Sequence, residues 1–87
     1  MAVIGGQIEE LSSLKGSFGR HSASVEQLLS GLRSELDSTY WKGGAADRFR
    51  NAWQSEYEPA LRRLSAALVE AGDEIGRRAQ ALEQVGG

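Results

Sequence analysis

The sequence contains no cysteine, one histidine (His21), one proline (Pro59) and one methionine. Without cysteine there is no disulfide staple and no thiolate metal site. A lone imidazole also falls short of the several His or Cys ligands that zinc and iron centres usually take. No apolar run approaches the roughly 20 residues that span a bilayer, so stable membrane insertion is not expected. The start, Met1 to Glu10, has neither a basic segment nor an apolar core and does not read as a conventional signal peptide. An excess of one charge is missing too. Ten Lys and Arg are interspersed with twelve Asp and Glu, for a net charge of −2, which leaves no electrostatic footprint for nucleic acid. There is no Gly-x-Ser-x-Gly elbow, no phosphate loop and no Cys/His pair. The expectation is a non-enzymatic protein without cofactor or metal.

What is present is periodicity. Ile4, Ile8, Leu11, Phe18, Val25, Leu29, Leu32 and Leu36 form a helical ladder, with Lys15 and Ser22 interrupting one of its rows. Leu14 and Leu28 lie beside that seam and widen it. Gly16, Gly19 and Gly31 each cost about 1 kcal/mol against alanine. The first helix should therefore be softest around residues 15–24 and owe its formation to packing. In the second segment Phe49, Trp53, Tyr57, Ala60, Leu64, Leu68, Ala71, Ile75, Ala79 and Leu82 advance by 4, 4 and 3 residues, repeatedly. That spacing holds an apolar stripe on one face of a nearly straight helix. Pro59 is its one violation, since the ring clashes with the carbonyl of Ser55, and a kink near residues 55–59 is predicted.

Between the segments stands Ser38-Thr39-Tyr40-Trp41-Lys42-Gly43-Gly44. The glycines supply the positive φ that a sharp reversal needs. Gly44 can also serve as N-cap of the second helix, with Asp47 then in its first turn facing the positive end of the dipole. The predicted fold is all-α, one domain of 87 residues: a helix over about 5–38, a turn over 39–44 and an antiparallel helix over about 45–84.

A chain this short buries only about 60–65% of its unfolded surface, and a two-helix hairpin encloses no interior. The flanks Leu14, Leu28, Leu61 and Val69 carry more apolar surface than one seam covers, so pairing into a four-helix bundle is expected. The predicted bundle core is Leu11, Phe18, Val25, Leu29, Leu32, Leu36, Phe49, Trp53, Leu64, Leu68 and Ile75.

Two long amphipathic segments in fewer than a hundred residues, with Trp41-Lys42-Gly43 at the hinge, resemble the Trp-x-Gly (Esx) family of small type VII secretion substrates. The resemblance covers the whole chain. It implies a homodimer, or a heterodimer with a paralogous Trp-x-Gly protein, exported folded from Gram-positive or actinobacterial cells by a membrane complex with a hexameric ATPase. Such a protein is cytoplasmic before export and secreted afterwards. In many pairs of the family the turn motif, here Trp41, Lys42 and Gly43, lies beside the partner's C-terminal Tyr-x-x-x-Asp/Glu. This chain departs from that pattern: its tyrosines are Tyr40 and Tyr57, and residues 80–87 contain none. The missing half of the signal would then come from a partner's tail or from the end of the second helix, where Ile75, Ala79, Leu82 and Val85 outrun the shorter first helix. The competing expectation is an intracellular helical scaffold without an export role.

Individual residues also have plainer roles. Trp41 can cap the open end of a bundle, and Trp53 falls on the stripe and reads as core. His21 reads as a half-exposed side chain. The pairs Arg62-Arg63 and Arg77-Arg78 are interleaved with acids and read as a solvated face. Gly72 and Gly76 suit either close helix approach or fraying.

Overall fold

The computed structural model describes the backbone of residues 2–86 and the side chains of residues 5–85. Ile4, the first rung of the predicted ladder, therefore lies outside the described side chains. Helix α1 runs Ala2–Ser38 without a break. After the turn come α2 (Gly44–Ala52), a π-helical turn (Trp53–Tyr57) and α3 (Glu58–Gly86). The chain is an antiparallel helical hairpin, with α1 packed along α3, measuring 65 × 18 × 11 Å. No strand occurs among the described residues.

The seam between the helices is thin. Leu29, Ala46 and Ala79 are its buried apolar residues, and Ser22 and Ser65 are buried with them. The two serines hold each other: Ser22 Oγ lies 2.8 Å from Ser65 Oγ and donates to the Ser65 carbonyl at 2.9 Å. A hydroxyl in an apolar seam is tolerated when it is paired, and this pair also sets the register of the two helices. Nearby, Gly72 and Gly76 let α1 come close. A Cβ at Gly72 would stand 3.4 Å from that of Phe18, and one at Gly76 would stand 3.1 Å from Lys15 Nζ. The stem of Lys15, which breaks the apolar ladder, thus lies over a glycine gap. Close approach, not fraying, is what these glycines do. The stretch of α1 expected to be softest is where these close contacts to α3 fall.

The predicted kink at Pro59 takes another form. The Glu58 N–H bonds the Trp53 carbonyl, five residues back, which widens one turn into a π-bulge just ahead of the proline. The extra residue resets the phase of everything before it. Phe49 and Tyr57, eight residues apart, come onto one column and stack with ring centroids 6.2 Å apart. Trp53 turns toward α1 and is half-buried, whereas Phe49 and Tyr57 are exposed. Phe49, Trp53 and Tyr57 still line one apolar groove with Ala60 and Leu61, and Trp53 also meets residues of α1.

The total accessible surface is 6397 Å², against roughly 5,000 Å² for a folded monomer of this mass. No large apolar side chain among the described residues is fully buried.

Candidate functional site: the turn and the open apolar face

At the turn, α1 must leave its last carbonyls without helical partners. Thr39 satisfies two of them: its hydroxyl donates to the Glu35 carbonyl at 2.6 Å, and its N–H to that of Leu36 at 3.4 Å. Arg50, in the last turn of α2, reaches back to this connection. Its guanidinium donates to the carbonyls of Trp41 (2.7 Å), Thr39 (3.2 Å) and Leu36 (3.4 Å). A positive charge is thereby placed at the negative end of the α1 dipole. Arg50 fixes the backbone of the turn. Periodicity marked it only as a surface charge, and nothing in its spacing signals this role. Arg50→Ala should lower stability by about 1–2 kcal/mol, and Arg50→Lys should recover little of it, because an ammonium cannot spread over three carbonyls. Thermal melts of the three proteins check this.

Gly43 has φ +113 and is the one positive-φ residue described. It, not Gly44, is the N-cap of α2, with its carbonyl accepting from the Asp47 N–H at 3.0 Å. Gly44 is the first helical residue and has ordinary helical backbone, so only one of the two glycines carries the reversal. Asp47 stands in the first turn as expected. Gly43→Val should cost more than about 1 kcal/mol, since a β-branched residue is strained at that φ; a variant melting within a degree of wild type would contradict it.

This held turn presents its aromatics. Trp41 is 40% exposed and tilts against Phe49 at 5.7 Å between centroids. Phe49 stacks in turn on Tyr57. Lys42 Nζ lies 5.7 Å from the Tyr40 ring, outside this column. The column of Trp41, Phe49 and Tyr57 runs on into Leu64, which is 46% exposed. On α1, Leu14 and Leu28 are exposed as well. Leu28 precedes the buried Leu29, and Leu64 precedes the buried Ser65. In an antiparallel pair, residues one step before the seam on each helix point to the same side. The open leucines of both helices thus share one face.

Of the residues predicted for a bundle core, Leu29 is buried within the hairpin itself. Leu11, Phe18, Val25, Leu32, Leu36, Trp53, Leu68 and Ile75 are half-buried, and Phe49 and Leu64 are exposed. At the end of the second helix, Ala79 is buried and Ile75 and Leu82 are half-buried; only Val85, 84% exposed, stands fully open. The first helix begins at Ala2, three residues earlier than read from the sequence, so it leaves less of that end uncovered. Ser22, Ser65 and the ion pairs of Glu58 with Arg33 and Arg62 were missed as partners. A serine at a seam position was the available signal, because it calls for a second polar group opposite. No cluster of His, Cys, Asp or Glu that could hold a metal occurs among the described residues, and no described helix is long and apolar enough to cross a membrane.

The family model described as proteins of 100 residues with WXG matches residues 4–86. The chain belongs to this family, the non-enzymatic helical substrates of type VII secretion systems. No curated protein and no solved structure matches it.

Proposed function

We propose that this WXG-family hairpin is exported folded and paired by a type VII secretion system, as substrate and adaptor for its partner, with the Trp41-Lys42-Gly43 turn as part of the surface that the export ATPase reads. The observation that carries this is a half-open tryptophan on a backbone held rigid by Arg50. An aromatic ring fixed in place and left in water has conformational entropy already removed and apolar area still to bury, which suits recognition. The chain's own tail has no tyrosine. The rest of the signal is then a partner's tail beside Trp41 or the exposed end of α3 around Val85. Before export the pair resides in the cytoplasm.

Trp41→Ala should reduce secretion several-fold at unchanged intracellular level, with a small loss of stability. Trp53→Ala should cost more stability, because its ring is the more deeply packed of the two. Val85→Ser should leave the melting temperature unchanged and lower export if the α3 end is read. The paired Leu82 and Val85 change is the poorer probe, since half-buried Leu82 also supports the seam. Blotting culture medium and cell lysate for each variant decides the matter, and wild-type secretion of both Trp41→Ala and Val85→Ser would contradict the proposal.

A further inference from the structure

The seam side of α3 advances alternately by three and four: Glu58, Leu61, Ser65, Leu68, Gly72 and Ile75 are all buried or half-buried. Ahead of the π turn, Ala46, Arg50 and Trp53 keep the same beat, by four and three. Ala46 is fully buried, Arg50 holds the Leu36 carbonyl, and Trp53 lines a cleft with Leu36 and Asp37 of α1. Each series is regular, but the two do not join. The next beat after Trp53 falls on Tyr57, which is exposed, whereas Glu58 is the residue ion-paired with Arg33 of α1. The series are offset by one residue, and the offset falls within the π turn, Trp53–Tyr57. Carried back from Glu58 through an unbroken α-helix, the α3 beat would set Gln54, Asn51 and Asp47 against α1. All three are polar and exposed. Trp53 and Arg50 would swing away by about 100°, the rotation per residue of an α-helix, and Arg50 would lose the carbonyls that it holds in the turn.

We infer that the π turn is a phase joint. It takes up one supernumerary residue, so that the turn end of the hairpin and the body of α3 both face α1, and it thereby sets the side on which Trp41 is presented. The same widened turn receives Pro59, whose ring would meet the Ser55 carbonyl in an unbroken helix. Offset and proline are matched. The joint does not depend on export, and its test reads stability alone.

Ser55 is exposed, and its hydroxyl bonds the Asn51 carbonyl within its own helix. Deleting Ser55 removes the extra residue. Trp53 and Glu58 then stand four apart, and one α-helix satisfies both series. Phe49 and Tyr57 become about two turns apart, so their stack survives as well. Alone, the deletion returns Pro59 to a helix interior and should lower the melting temperature by several degrees. Combined with Pro59→Ala, it should melt at or above Pro59→Ala itself, because ordinary α turns replace a rare π turn. Deleting Gln54 in place of Ser55 should be equivalent, since the offset counts residues and not side chains. Deleting Ala67, within the regular turns of α3, shifts one part of the seam against the other and should melt far lower. Adding Arg50→Ala to the shortened Pro59→Ala chain should lower its melting temperature as much as in the full-length protein. Ser55 and Gln54 deletions that melt as low as the Ala67 deletion, each with Pro59→Ala, overturn the joint. So does a shortened chain that folds well yet is indifferent to Arg50→Ala, because its turn end has then lost its phase.

Discussion

Leu29→Asp should leave the chain without a cooperative helical transition. Leu29 is 3% exposed and is the largest apolar side chain buried in the seam. Its replacement removes a buried leucine, worth about 2–5 kcal/mol, and puts a charge into the buried seam. The helices have few other buried contacts to fall back on, and a domain of this size has little stability to lose. Circular dichroism against temperature should show a broad, low-amplitude loss of helix in place of a sigmoid. A variant melting within a few degrees of wild type would mean that the hairpin is not held by this seam.

Leu64→Asp should act on association instead of on the hairpin. Nearly half of Leu64 is in water, so the charge costs little in a single chain, where water still reaches it. In the proposed pair the same position is covered, and the charge enters the interface. The variant should sediment as one chain at concentrations where the proposed pair forms. Its melting temperature should be lower and should no longer rise with concentration, as it must for a protein stabilised by its own association. An unchanged sedimentation coefficient would show that the open leucine face is not the one buried on pairing.

The helical hairpin was legible because two apolar periodicities and one glycine-bearing break encode it redundantly. Gly43 was legible for a related reason: a reversal between long helices needs one positive-φ residue, and the sequence offers glycine there. The π turn in the second helix was not. Phe49, Trp53 and Tyr57 step by four and do line one groove, but the chain meets Pro59 with a π turn where the spacing predicts a kink. Backbone phase is a local geometric response to proline, and residue spacing does not carry it. Arg50 was illegible for another reason. Its three acceptors are backbone carbonyls, which every residue has, so no pattern of side chains announces them. The serine pair lay between these cases. Each serine is visible as an interruption, but matching Ser22 to Ser65 requires the register that the pair itself helps to set.

The most direct test of the central proposal is secretion in a cell with a working type VII system, with and without its ATPase. The tagged wild-type chain should accumulate in the medium when the ATPase is present and be retained in the cytoplasm when it is deleted, with a cytoplasmic marker confined to the lysate in both. Retention in both strains, or appearance in the medium regardless of the ATPase, would contradict export by this route and favour an intracellular scaffold.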